Sequence, residues 1–272
     1  MIWLNGALAN AAGAVSAADR GLLLGEGVFE TVLAENGTPS HWAAHMERLW
    51  RACDVFGFTT PYAASDLHDV AADLMSQQNL SQTRAVIRVT VTGGDGGRGL
   101  VPTHETHPNW LVQASKAPDV PAHIRLMQSH VLQPAGQILS PIKTTNYAAH
   151  IFARKQALSA GADDAILVNQ HQRITGVSAG NIFALYDEQL ITPQIEEGAL
   201  PGITRARILA LGDRGGHDMI SGQLSPDMLN ASGALIVCNA VMGVVAASLH
   251  VGQMAGSENL AKKIRAALTA RS

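Results

Sequence analysis

The sequence predicts a mixed α and β protein in two domains. Three observations carry this expectation: β-branched apolar runs alternate with stretches of helical period, a proline-containing gap splits the chain near its middle, and 272 residues with 47% hydrophobic and 15% charged content can fill more than one core. Disorder is excluded by the same composition, since disordered chains have few apolar residues and high net charge.

Each element follows from a local pattern. Met1–Asn5 reads as a short strand and Gly27–Ala34 (GVFETVLA) as a longer one rich in β-branched residues. Trp42, Met46, Leu49, Cys53 and Phe56 form a helical stripe, with Ser40 placed to cap it and Gly57 to end it. A second helix is expected from about Asp66 to Gln77, with Ser65 as N-cap and acidic residues in its first turn. Two strands, Ala85–Thr92 (AVIRVTVT) and Asn109–Ala114 (NWLVQA), are joined by a glycine-rich loop. The stretch KAPDVP from Lys116 to Pro121 has no periodicity, so the boundary falls there, between domains 1–116 and 121–272. Beyond it come a strand over Ile124–Leu132, a helix from Asn146 to Ala160 stopped by Gly161, and strands ADDAILV, NIFALY and QLITP. A helix over Arg205–Leu211, the strand ALIVCNA and a final helix near Asn259–Ala270 complete the chain.

The formal net charge is −3, and no run of five like charges occurs, which removes nucleic acid from the expected partners. No basic-flanked apolar leader and no stretch of about 18 apolar residues is present, so no membrane partner and a cytoplasmic location are expected. Cys53 and Cys238 lie far apart, without a CxxC or a Cys/His ladder, and signal neither a disulfide framework nor zinc.

Several motifs have both a chemical and a bland reading. The loop GGDGGRG (93–99) contains a GxGxxG register, but LVPTHETHP follows it and cannot start the helix that a dinucleotide turn requires. Arg98 on this loop is either a solvated arginine or a fork for a carboxylate. His104 and His107 stand three apart beside prolines, not four apart on a helix, so no metal is expected. Lys143 is set apart among five lysines: it follows LSPI and precedes TTN, a helix start by this reading, where apolar neighbours and a positive helix end lower an amine's pKa. A solvated lysine at a helix entrance is the plainer alternative. Gly202-Ile203-Thr204 opens a helix and forms either an anion site of backbone N–H groups or a simple threonine cap. Arg48, beside His45, either faces water or turns inward to a phosphate. An activated lysine, a phosphate-ready helix end and a further arginine together suit pyridoxal phosphate.

On these residues the chain resembles, over nearly its full length, the class IV (fold type IV) pyridoxal phosphate enzymes. The matching blocks are DRGLLLGEGVFET (19–31), HMERL (45–49), GGRG (96–99), IKTTNY (142–147), GADDAILV (161–168), RITGVSAGNIF (173–183), ITP (191–193), LPGITR (200–205) and VCNAVMG (237–243). This family includes branched-chain and D-amino-acid aminotransferases and 4-amino-4-deoxychorismate lyases. The resemblance implies a two-domain, D-amino-acid aminotransferase-like α/β fold with pyridoxal 5'-phosphate between the domains, a homodimer, and a small-molecule amine as substrate. It implies that Lys143 carries the cofactor through its aldehyde and shuttles the proton. By the same resemblance Arg48, Ile203 and Thr204 hold the phosphate, Asn239 and Ala240 close around it, and Tyr147 approaches the phenolic oxygen.

GGRG, VCNAVMG and the triplet Phe29-Glu30-Thr31 look most like the lyases, which form 4-aminobenzoate on the route to folate. There Arg98 would take a substrate carboxylate, with Phe29 and Thr31 beside the substrate. One departure stands out. The family reads Thr-Glu where this chain has Thr175-Gly176, so the carboxylate that keeps the pyridine nitrogen protonated is missing. A transaminase should suffer from this more than a lyase driven by aromatisation. The alternatives are a branched-chain or D-amino-acid aminotransferase and a catalytically impaired relative that binds cofactor. Restoring a glutamate at position 176 is expected to raise transaminase-type activity.

Overall fold

A computed structural model describes residues 1–212, 216–251 and 256–270. The chain divides into two compact units, Met1–Pro118 with Ile142–Asn146, and Asp119–Pro141 with Tyr147–Ser272. The first unit reclaims a short piece of chain, Ile142–Asn146, from beyond the expected linker.

In the first unit the strands β1 (Ile2–Leu4), β2 (Ala7–Ala9), β3 (Gly27–Glu35), β4 (Thr38–Pro39), β5 (Arg84–Thr92) and β6 (Asn109–Lys116) form one sheet in the order β2-β1-β6-β5-β3-β4. Every pairing is antiparallel. Side chains of period two send Val28, Val32, Ile87, Val89, Trp110 and Val112 to one face, where they form a core with α2 (Trp42–Phe56) and α3 (Ala64–Gln77). Phe29, Thr31 and Arg88 fall on the other face.

Gly57 ends α2 at φ 68, a left-handed position that glycine occupies without the clash a Cβ brings. Two expected caps are corrected. The residue before α2 is His41, which makes no capping bond, because the chain reaches the helix through a left-handed turn and leaves Ser40 outside. Ser65 lies inside α3; Ala63 holds the cap position, and its N–H donates to Asp66 at 2.8 Å. Also beyond the sequence reading is α1 (Arg20–Leu24), capped by Asp19, which accepts from the N–H of Gly21 and Leu22.

The second unit is built on an eight-stranded mixed sheet in the order β12-β11-β10-β13-β14-β7-β8-β9. In chain order these are β7 (His123–Leu132), β8 (Asp164–Val168), β9 (Ile174–Val177), β10 (Asn181–Tyr186), β11 (Gln189–Pro193), β12 (Asp218–Gly222), β13 (Ala234–Asn239) and β14 (Gly243–Leu249). Both faces are covered, so β13 reads as a continuous apolar run: Leu235 and Val237 enter one core, Ala234, Ile236 and Cys238 the other. The second core is completed by α5 (Ile203–Leu209) and α7 (Ser257–Thr269), and α4 (Ala148–Ser159) covers a smaller alanine-rich cluster. The short α6 (Pro226–Asn230) is capped by Ser225.

Two helix starts differ from expectation. The first helical residue of α4 is Ala148, so Lys143 belongs to an extended segment and does not stand at a helix entrance. Ile203 opens α5, two residues before the expected start. Among the described residues no helix is long and apolar enough to cross a membrane.

Candidate active site

Lys143 lies in the first unit, on a segment laid along the start of β3. Its carbonyl accepts from the N–H of Phe29 at 2.9 Å, and the N–H of Thr145 donates to the carbonyl of Gly27 at 2.8 Å. Ile142, partly buried against the first core, anchors the segment. Lys143 itself is half-buried, with Nζ 4.3 Å from the centre of the Phe29 ring.

A second cation shares that ring. The Arg88 guanidinium sits 3.7 Å from its centre, and its Nε donates to Thr90. Strand register places Thr31 opposite Arg88 and Arg88 opposite Gln113, and this row lines a cleft of about 410 Å³ with Val86 and Ser115. Sequence reading passed over Arg88 because an arginine at an outward strand position usually faces water. Only the pairing of β3 with β5 brings it to Phe29.

Behind the strand, facing the core, stands a buried ionic cluster. Glu30 is 1% exposed, His45 1% and Arg48 8%. Arg48 donates to both carboxylate oxygens, Nε to Oε1 at 2.6 Å and Nη2 to Oε2 at 2.8 Å, while His45 Nδ1 lies 2.8 Å from Oε2. Burial pushes the Glu30 carboxyl up, and the hydrogen bonds and charges of His45 and Arg48 more than offset it, holding the group below its ordinary value. Strand parity could have signalled this: Glu30 shares its face with Val28 and Val32, where a carboxylate demands a partner. Arg48 is therefore neither solvated nor loose.

Arg98 is exposed on the loop between β5 and β6, and Gly97 and Gly99 beside it have φ of 73 and 97. His104 lies on the same loop, 3.8 Å from Asp95.

In the second unit three backbone turns gather at one end of β10 and β13. The first opens α5. Gly202 occupies the cap position, which removes the threonine-cap reading of Thr204. A Cβ on Gly202 would strike Asn181 Oδ1, whose amide in turn donates to the Leu200 carbonyl at 2.9 Å. The first-turn N–H groups of Ile203 and Thr204 have no carbonyl within the helix. Behind them Arg205, 6% exposed, donates to the Pro193 carbonyl and Ser221 Oγ at 2.9 and 2.7 Å. Its Nε is a buried donor with no partner, and desolvation lowers its pKa.

The second turn joins β13 to β14. Asn239 Oδ1 accepts from the N–H of Val241 and Met242, and its Nδ2 donates to the Ala179 carbonyl at 3.0 Å, fixing the backbone at Ala240. The third turn, residues 176–180, is therefore tied to the second. Gly176 is buried there at φ 156, and a Cβ would lie 2.9 Å from the Gly180 carbonyl oxygen. Tyr147 precedes α4 and stacks on His150 at 4.8 Å, and His150 Nδ1 bonds the Ser178 carbonyl at 2.8 Å. Both cysteines are free and buried, and desolvation pushes each thiol up to about 12.

Each unit by itself carries donor chemistry that fits part of pyridoxal phosphate: the first a primary amine and an arginine fixed by a carboxylate, the second a glycine-opened turn with first-turn N–H groups for a phosphate. The family model for amino-transferase class IV matches residues 27–249, and the chain belongs to that family of pyridoxal phosphate enzymes. The aminodeoxychorismate lyase of Vibrio harveyi is 25% identical over 257 residues, 91% of this chain and 90% of that one. A D-alanine aminotransferase of Staphylococcus aureus is 29% identical over 210 residues, 75% of this chain and 72% of that one. In fold the chain is similar to the branched-chain amino acid aminotransferase of Escherichia coli, with a TM-score of 0.89, 24% identity, and coverage of 99% of this chain and 93% of that one.

Proposed function

We propose that this protein converts 4-amino-4-deoxychorismate to 4-aminobenzoate and pyruvate, with pyridoxal 5'-phosphate as cofactor. The observation that carries the lyase reading is Gly176: no carboxylate stands there, and its φ of 156, with the Gly180 carbonyl oxygen 2.9 Å from where a Cβ would lie, suits glycine. When bound, the cofactor supplies an imine-forming aldehyde and an electron-withdrawing ring. Without an acid at its nitrogen the ring withdraws less, so a reaction pulled forward by forming an aromatic product suits the site better than one that must hold a carbanion.

In this reading the residues divide the work. Arg48, oriented by Glu30, and the turn at Ile203 and Thr204 hold the phosphate, with Asn239, Ala240 and Tyr147 around the cofactor. Lys143 Nζ would hold the cofactor at its aldehyde and, when free, would take the proton from the substrate's amine-bearing carbon. Enolpyruvate leaves as the ring aromatises and takes up a proton to become pyruvate. Arg98 orients a substrate carboxylate, and Phe29, Thr31 and Arg88 line the substrate side. A homodimer is part of the same reading.

The test is 4-aminobenzoate formation by purified protein loaded with cofactor. Lys143→Ala is expected to abolish it and to remove the visible absorption band of the lysine-bound cofactor. A loaded wild type that makes none sinks the lyase. The D-alanine aminotransferase relative favours a second reading, an aminotransferase of branched-chain or D-amino acids. Bleaching of the visible band by an amino acid alone, with keto acid released, would select it, and a band that no substrate alters would select a cofactor-binding protein without turnover.

A further inference from the structure

The glycine-rich loop that carries Arg98 is wrapped around a single buried side chain. Arg20 is 3% exposed, although it lies on a short helix whose leucines, Leu22 to Leu24, face outward. Its guanidinium takes three acceptors in three directions. Nε pairs with the Glu26 carboxylate, Nη1 donates to the Gly99 carbonyl at 2.9 Å, and Nη2 to the Leu100 carbonyl at 2.8 Å. The backbone N–H of Arg20 donates to the Gly94 carbonyl at 2.8 Å, gripping the loop at its other end.

The recurrence of glycine follows from this packing. A Cβ on Gly96 would lie 2.6 Å from Arg20 Cδ, and one on Gly93 would lie 2.8 Å from Glu26 Oε2. Next to Arg20, Asp19 is fully buried and accepts from Thr92 Oγ1 and Asn109 Nδ2, each at 2.7 Å, at the two strand ends where the loop begins and finishes. The two carbonyls that Arg20 holds belong to the residues that directly follow Arg98.

We propose that Arg20 is a positioning residue for substrate binding: by clamping the Gly99 and Leu100 carbonyls it fixes the loop in one conformation and presents Arg98 to the substrate carboxylate. This rests on the reading of Arg98 given above. An exposed arginine on a glycine-rich loop would otherwise lose conformational freedom on each binding event, and a buried clamp meets that cost during folding. A lysine cannot replace the clamp, since one ammonium point cannot span three acceptors that a planar fork reaches together.

The experiment uses the cofactor-loaded protein, its Arg20→Lys and Arg20→Met variants, and Arg98→Ala alone and combined with Arg20→Lys. Trypsin cleavage after Arg98, followed by mass, reads loop order without any substrate. It is expected to accelerate by about tenfold or more in both Arg20 variants while other sites hold. With 4-amino-4-deoxychorismate, KM is expected to rise about tenfold, with kcat and the cofactor's visible band little changed. In the Arg98→Ala background, Arg20→Lys should add nothing further to KM. An unchanged cleavage rate at Arg98, or acceleration at every site alike, overturns the proposal. So does a KM that stays put, or an Arg20→Lys effect that persists without Arg98. A wild type with no lyase turnover defeats the functional reading instead, and trypsin alone then decides whether Arg20 orders the loop.

Discussion

Gly176 shows how much one backbone position constrains the chemistry. Its φ of 156 and the 2.9 Å separation between a notional Cβ and the Gly180 oxygen turn an apparent loss of function in the sequence into a packing feature. The obstacle is backbone, which cannot swing away as a flexible side chain would. Gly176→Glu is thus expected to destabilise the fold by about 1–3 kcal/mol, measured by thermal unfolding, and to yield no gain in transaminase-type activity. The sequence by itself leads to the opposite expectation, a gain in such activity, and the half-reaction rate decides between the two. A stable variant with faster amino-acid half-reactions would show that the turn at 176–180 yields.

At the scale of elements, the link between β3 and α2 matters most, because it joins the strand bearing Phe29 to the helix bearing Arg48. A buried ionic cluster contributes little net stability compared with apolar packing, yet removing one member leaves uncompensated charge. Glu30→Gln is expected to cost about 3–5 kcal/mol in chemical denaturation and to weaken cofactor retention. The pH dependence has a definite sign. The folded-state pKa of Glu30 lies below its ordinary 4.5, so its contribution is present above that value and is lost as pH falls through the lower, folded-state one. Acid unfolding of Glu30→Gln should lack this component, and wild-type and variant curves that run parallel below pH 4.5 would contradict the assignment.

For the whole molecule, the exposed apolar residues of the first unit call for an explanation. Leu22, Leu23 and Leu24 stand out from α1, and Leu100 and Val101 from the loop that Arg20 holds. Contiguous exposed apolar surface usually marks an interaction site. We propose that these residues lie in the interface of the homodimer put forward above. Light scattering is expected to give twice the chain mass, and Leu23→Asp combined with Val101→Asp to give the monomer with the fold intact. A monomeric wild type would remove the dimer from the proposed function.

Local patterns were enough for most elements. Hydrophobic period exposed α2, α3 and the strands β3, β5, β10 and β13, because each buries one face or both and its apolar spacing records that burial. The caps at Ser40 and Ser65 and the helix start at Asn146 were misplaced because boundaries depend on where the chain arrives from, which a local window does not contain. Motifs also pointed to Lys143, Arg98 and the Gly202–Thr204 turn, since amine, guanidinium and N–H chemistry attach to residue types. What needed the tertiary structure was company. Strand register set Arg88 over Phe29, strand parity and helix packing enclosed Glu30 with Arg48 and His45, and loop closure folded residues 93–101 around Arg20. Such contacts join residues distant in sequence, and their energies exist only after the chain has met the entropy of bringing them together.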